Sequence, residues 1–251
     1  MFSLTRPIYN IKNSLSRGIM DYKKISGVKL IVFDMAGTVI DDTRIVYDTL
    51  YNTLDKYNIP VTKKDIQDND GKNKYQVLDN IALNYFDITE YNIKREQLHK
   101  YFDKSLKEQF FYNTDNLTFI NSYVPRLFSN LKKNNIKITL NTSYSYVIQK
   151  QIIHKLNLND YIDDYIASDM VPQGRPAPYM INRLMENLNI DNPNVVLKIG
   201  DTPNDILEGK NARCGYVVGV LSGSSKIQDL RPHCPTDILY DITELNDSLY
   251  Y

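Results

Sequence analysis

The sequence predicts an α/β fold: a doubly wound parallel sheet with one all-helical unit inserted after its first strand. Three observations predict it. Short continuous apolar runs rich in β-branched residues recur along the chain, the pattern of strands buried on both faces. Segments whose apolar residues recur at spacings of three and four separate most of those runs, so strands and helices alternate. Between residues 42 and 115 the alternation stops and only helical spacing remains.

Taken in order, residues 1–27 form an N-terminal extension with no acid before Asp21 and with Arg6, Lys12 and Arg17 scattered among serines. It reads either as a short basic extension of a cytoplasmic protein or as a mitochondrial targeting leader. The run from Val28 to Phe33 is the first strand, and residues 28–41 open the sheet domain. Residues 42–115 then carry three helical stripes: Val46, Leu50, Leu54 and Tyr57; Val77, Leu78, Ile81 and Tyr85; Leu98, Phe102, Leu106 and Phe110. Inserted between the first and second strands, this unit lies over the strand ends where ligands bind, and so reads as a cap.

The sheet domain resumes over residues 116–251. Ile120, Val124, Leu127, Phe128 and Leu131 make a helix that tolerates Pro125 in its first turn. Strand Ile136–Leu140 follows, then a helix on Val147, Ile148, Ile152 and Leu156, and a weaker strand at Tyr165–Ala167. A helix on Met180, Leu184 and Leu188 leads to strands Val195–Ile199 and Tyr216–Leu221, with a last weak one at Ile238–Leu239.

Composition narrows the function. A chain of 251 residues can bury a sizeable core. Its 30 basic and 30 acidic residues cancel, and no stretch approaches the ~18 apolar residues of a spanning helix, so neither nucleic acid nor membrane is the expected partner. The two cysteines, Cys214 and Cys234, are too few for a disulfide framework and fit a reducing, cytoplasmic setting. A small metabolite is the expected partner, with a homodimer left open. Cys214, His99, His154 and His233 read as structural or surface residues.

The residues that carry chemistry fall just after strands. Asp34 ends the first, in "FDMAGT"; Thr142 ends the second, in "ITLNTS"; Arg175 lies in "QGRPAP"; Asp201 and Asp205 lie in "KIGDTPND". Four loops thus converge on one crevice with carboxylates, a hydroxyl and a cation. Each has a plain structural alternative. Asp34 could form a turn, Thr142 and Asp205 could cap helices, and Arg175 could be a surface residue.

These motifs, in this order, resemble those of the haloacid dehalogenase superfamily from Val28 to about Leu239. Within it, Ala36, "GRPAPYM" and "GDTPNDILEGKNARCGYVVGVLSGSS" are most similar to the phosphonatase branch. The resemblance implies that Asp34 is a nucleophile forming an aspartyl-phosphate. It also implies Mg²⁺ held by Asp34, the Ala36 carbonyl and Asp201 with Asp205 nearby, and phosphoryl oxygens bound by Arg175, Thr142 and loop N–H groups near Gly37. The expected substrate is a small phosphorylated or phosphonate metabolite.

Ala36 stands where phosphatases of this superfamily carry an acid that protonates a leaving alkoxide. A C–P bond avoids that need if a lysine first condenses with an aldehyde and makes the leaving carbon an enamine. In "DGKNKYQVLDNI", Gly71 stands three before Lys74, resembling the glycine-to-lysine stretch of the phosphonatase cap. Lys74 is therefore a candidate catalytic and substrate-binding residue, with Lys72 its competitor and a solvated helix-start charge the plain reading. The sequence departs from that branch at Asp70, at Met35 and in lacking a histidine after the lysine. A phosphomonoesterase drawing an acid from Asp41 or Asp42, like phosphoglycolate phosphatases, is the alternative reading. A third is a non-catalytic protein that binds a phosphometabolite or another protein.

Overall fold

The computed structural model describes residues 25–41, 45–67, 69, 72–112, 117–245 and 249–250. The leader reading, for all but the last residues of 1–27, and the readings placed on Asp42, Asp70 and Gly71 lie outside the described residues.

A short strand β1 (Ile25–Ser26) precedes β2 (Leu30–Asp34), and β3 (Ile40–Asp41) leads into four helices. These are α1 (Ile45–Lys56), α2 (Lys63–Gln67), α3 (Lys74–Tyr85) and α4 (Ile88–Tyr112). After β4 (Thr118–Phe119) come α5 (Val124–Lys133), β5 (Lys137–Thr142), α6 (Tyr146–Lys155), β6 (Asp164–Ala167) and α7 (Tyr179–Asn187). Then follow β7 (Val196–Gly200), α8 (Pro203–Asn211), β8 (Tyr216–Val220), α9 (Ile227–Leu230), β9 (Asp237–Leu239) and β10 (Leu249–Tyr250), which pairs with β1.

Six strands form one parallel sheet in the order β6-β5-β2-β7-β8-β9. From β2 the chain winds outward through β5 and β6, then returns to build β7, β8 and β9 on the other side. That reversal opens a crevice at the carboxyl ends of β2 and β7. The doubly wound sheet expected from the sequence is what forms, and β2 shows why. Ile31 and Phe33 join Leu127, Phe128 and Leu131 of α5 on one face. Leu30 and Val32 join Met180, Ile181 and Leu184 of α7 on the other. Every one is fully buried, and each such side chain contributes about 1.5–3 kcal/mol. The Phe33 and Phe128 ring centroids are 5.2 Å apart.

The elements differ from expectation in detail. Pro125 does sit at the start of α5. Val147 is exposed, and Ile148, Ile152 and Ile153 form the buried stripe of α6 instead. Tyr85 is likewise exposed, with Ala82 facing inward in α3. Unexpected from the sequence, β3 and β4 pair antiparallel through Ile40–Phe119 and Asp41–Thr118 where the chain enters and leaves the helical insert. Two residues per strand are too few for any periodicity. Within the insert α1 and α3 pack on α4, burying Leu50, Leu54, Leu98, Phe102 and Leu106. Among the described residues no helix is long and apolar enough to cross a membrane.

Candidate active site

Each site residue is placed by a strand or helix end. Asp34 closes β2, directly beside Asn141 of β5 in the sheet register. Thr142 ends β5 and Asp201 follows β7. Pro203 opens α8 and Thr202 caps it, in a reciprocal box that places Asp205 in the first turn. The capping reading of Asp205 is thus correct, and the same geometry points its other carboxylate oxygen into the site. Thr142 does not cap α6; its hydroxyl accepts from the Tyr144 N–H at 3.2 Å in a local turn. All five of these expected groups, Asp34, Thr142, Arg175, Asp201 and Asp205, are buried and lie together.

Arg175 binds the site together. Its Nε donates to Glu208 Oε2 at 3.0 Å, and Nη2 donates to the Asn141 carbonyl at 3.1 Å and to Asn141 Oδ1 at 2.5 Å. Nη1 donates to Asp34 Oδ1 at 2.6 Å and lies 3.1 Å from Asp205 Oδ1. Of the five N–H donors of a guanidinium, four are hydrogen-bonded to protein acceptors here, and the approach to Asp205 Oδ1 is an ion pair. Arg175, expected on phosphoryl oxygens, lines the crevice and clamps the carboxylate of Asp34. Gly37 departs from expectation, because its N–H donates to the Ile40 carbonyl at 2.8 Å. Its contribution is steric. At φ +75° it passes so close to the Asp201 carboxylate that a Cβ would lie 2.8 Å from Oδ2, and at Gly223 a Cβ would lie 2.0 Å from the same oxygen.

Behind Arg175 lie three residues the sequence analysis did not single out. Lys198, in the middle of β7, is fully buried and reaches Asp205 Oδ1 at 2.9 Å, Asn141 Oδ1 at 2.8 Å and Glu208 Oε2 at 3.4 Å. Asn141 Nδ2 donates to both Glu208 oxygens at 2.9 Å. One signal for them existed: a lysine inside "VVLKIG", a strand read as buried on both faces, needs an acid partner.

Four buried carboxylates, Asp34, Asp201, Asp205 and Glu208, thus meet two cations, Arg175 and Lys198. Burial pushes the Asp201 carboxyl well above its ordinary range, reinforced by repulsion from Asp34 and Asp205. Burial also raises Asp34, with Arg175 and Lys198 opposing and Asp205 adding to the rise. For Asp205, burial is outweighed by Arg175 and Lys198, so its carboxyl titrates below the usual range. Burial works against Arg175 too, yet Asp205, Asp34 and Glu208 together make it more basic than an ordinary arginine.

The Asp34, Asp201 and Asp205 carboxylates approach within 4.8 Å of one another. All-oxygen ligands, buried and short of positive charge, suit a hard divalent cation. Asp205 fits an outer place in such a site. Its Oδ2 accepts from Thr202 N at 3.2 Å and Thr202 Oγ1 at 2.6 Å, and its Oδ1 faces Lys198 and Arg175.

Lys74 is a charged residue of the insert that enters the site. It opens α3, is 3 % exposed, and places Nζ 4.5 Å from the Tyr47 ring centroid and 3.4 Å from the Tyr47 hydroxyl. Its burial excludes the solvated-charge reading. Lys72 is exposed and donates to Asn69 Oδ1 at 3.1 Å. Lys74, Tyr47 and Val46 from the insert, with Asp34, Ala36, Thr142, Arg175 and Asp201, line one crevice.

A family model described as haloacid dehalogenase-like hydrolase matches residues 28–213. The chain belongs to that hydrolase family. As a family member it is an enzyme, and its relatives include proteins of two activities. It is 29% identical over 215 residues to a phosphonoacetaldehyde hydrolase of Latilactobacillus sakei, covering 80% of this chain and 78% of the relative. With a phosphonoacetaldehyde hydrolase of Bacteroides fragilis it shares 34% over 142 residues, 56% of this chain and 49% of that protein. A phosphoglycolate phosphatase of Psychrobacter arcticus is 27% identical over 229 residues, 88% of this chain and 95% of the relative. The fold of this hydrolase is shared with a phosphonoacetaldehyde hydrolase-like protein of Oleispira antarctica, at TM-score 0.75 and 17% identity over 89% of this chain and 91% of that one. It is shared too with a hydrolase of Pseudomonas syringae, at TM-score 0.74 and 20% identity over 88% of this chain and 100% of that one.

Proposed function

We propose that this hydrolase cleaves the C–P bond of a small aldehyde phosphonate with an aspartate nucleophile and Mg²⁺. The observation that carries the proposal is Lys74: an amine buried in the same crevice as Asp34, in a chain whose position 36 holds no acid. The helical insert is the cap that brings it there. Asp34, Asp201 and the Ala36 carbonyl would hold the Mg²⁺, with Asp205 behind them. When bound, the ion supplies positive charge against the carboxylates and the phosphoryl oxygens.

The chain's own residues do the rest. The Lys74 amine attacks the aldehyde carbon and the carbonyl oxygen leaves as water, giving an iminium on Nζ. Asp34, held through Oδ1 by Arg175, attacks phosphorus; the C–P electron pair moves to carbon and forms an enamine. No acid at position 36 is required, because the leaving group is carbon made stable by the iminium. Water then cleaves the aspartyl-phosphate. The enamine takes up a proton at carbon, and hydrolysis of the imine frees Lys74. Thr142, whose hydroxyl lines the crevice, would bind a phosphoryl oxygen.

A second reading, a phosphomonoesterase, is favoured by the match that spans 95% of the phosphoglycolate phosphatase. Against it, Asp41 is exposed on β3 and does not line the crevice. Free thiols in both cysteines and bacterial relatives support a cytoplasmic setting. The test is phosphate release from phosphonates and phosphomonoesters side by side, with Mg²⁺ and with chelator. On the proposal, borohydride during turnover traps an adduct on Lys74, and Lys74→Arg, which keeps charge but cannot form an imine, abolishes C–P cleavage. Normal cleavage by that variant with no adduct on Lys74 or Lys72 would refute the Schiff base, and phosphate release from phosphomonoesters but not phosphonates would transfer the assignment to the phosphomonoesterase.

A further inference from the structure

We propose that Asn73 and Ser168 are positioning residues, forming a hydrogen-bond relay that seats Lys74 in the crevice. The inference rests on the reading of Lys74 as the reactive amine and names what places it. Asn73 has two tasks at once. As N-cap of α3 its Oδ1 accepts from the N–H groups of Tyr75 at 3.0 Å and Gln76 at 3.1 Å. Its Nδ2 leaves the insert altogether and donates to Ser168 Oγ at 2.6 Å, a residue just after β6 in the sheet domain. Ser168 Oγ in turn donates to the carbonyl of Ser143, just after β5, at 3.3 Å. All three residues are buried, at 8 %, 4 % and 8 % exposure.

The relay therefore ties the first turn of α3 to two of the strand-end loops that build the site. On the other side of Lys74, Tyr75 donates to Asp103 Oδ1 at 2.5 Å and also engages Ser145 at the start of α6. Lys74 is bracketed by contacts to the core at both neighbours. Gly174, immediately before Arg175, leaves the relay its space: a Cβ there would lie 3.1 Å from Ser168 Cβ and 3.8 Å from Asn73 Cβ. A lysine has four rotatable side-chain bonds, so its reach toward Asp34 is decided by where its Cα is held, and the relay holds it.

A helix cap alone would need Oδ1 but not Nδ2, and this separates the two roles. Ser168→Ala leaves the cap intact and strands the buried amide, a loss that shifts an equilibrium about tenfold. In the full chain, Lys74 acylation by an amine-reactive ester, read by peptide mass spectrometry, should rise about tenfold in Ser168→Ala, with exposed Lys72 unchanged as internal control. On phosphonate substrate kcat should fall about tenfold with KM little changed, and Ser168→Thr, which keeps the hydroxyl, should restore it. Asn73→Asp, which keeps the capping oxygen and loses the donor, should repeat the labelling result should Ser168→Ala not fold. Lys74 labelling at the wild-type rate in the folded variants overturns the relay, as does a threonine variant no better than alanine. Raised labelling in an enzyme that cleaves no phosphonate supports the relay and removes the proposed reaction instead.

Discussion

Lys198→Met measures how much of the site's integrity rests on one hidden cation. Methionine is nearly the same length and leaves little cavity, so the perturbation is electrostatic. Lys198 Nζ contacts Asp205 Oδ1 at 2.9 Å, Asn141 Oδ1 at 2.8 Å and Glu208 Oε2 at 3.4 Å, and none of the charged side chains reaches solvent. Removing one partner of a buried ion pair costs about 3–5 kcal/mol, since the remaining charge stays dehydrated. The lower end, about 3 kcal/mol, is expected here, because Arg175 still sits 3.1 Å from Asp205 and 3.0 Å from Glu208. For a chain of this size that corresponds to a fall in Tm of roughly 10 °C, read by circular dichroism. Pairing it with Glu208→Gln in a double-mutant cycle should give a coupling of about 1–3 kcal/mol. A Tm within about 2 °C of wild type, together with zero coupling, would refute the claim that Lys198 holds the acids behind Arg175.

Three other outcomes are expected. Asp34→Asn keeps side-chain volume and removes the nucleophile, so phosphate release should fall by a factor on the order of 10⁴ or more with the fold intact by circular dichroism; near-normal turnover would sink the covalent mechanism. Ala36→Asp should leave phosphonate cleavage no faster; a large gain on phosphomonoesters in the same phosphate assay would show that this one position separates the site from a phosphatase. Burial, with Glu208 nearby, pushes the Cys214 thiol up to about 12, so it is a thiol and not a thiolate at pH 8. Iodoacetamide at that pH should therefore modify exposed Cys234 faster than half-buried Cys214; equal rates by mass spectrometry would contradict the raised thiol.

What the sequence revealed and what it hid follow one physical line. The sheet was legible because strands covered on both faces must be apolar throughout, as Leu30 to Phe33 are. The acids and Arg175 were legible because strand-end loops are where such folds gather chemistry. Stripe membership was less so: Val147 obeys the helical spacing yet faces solvent, since the register of α6 on the core is a tertiary choice. Lys198 alone carries a local signal, a charge inside a buried strand, but its partners Asn141 and Glu208 meet it only when β5, β7 and α8 assemble. The Asn73 to Ser168 bond joins residues 95 apart, beyond any local reading. Arg175's bonds to Glu208, Asn141 and Asp34 likewise exist only among the folded neighbours.

The two-strand ribbon of β3 and β4 has an evolutionary consequence. Ile40 lies beside Phe119, so the polypeptide departs from the sheet and rejoins it at one spot, and everything between could be exchanged while the sheet kept its winding. The ribbon's footing is the nucleophile's own loop: Gly37 bonds to Ile40, and the Val39 carbonyl receives the Ile120 N–H at 3.0 Å. On the proposed reaction, phosphorus chemistry and substrate choice would in this way be heritable as separate cassettes. A lineage that swapped the helices carrying Lys74 would then change the molecule being cut, while the aspartates proposed to do the cutting stayed where they were.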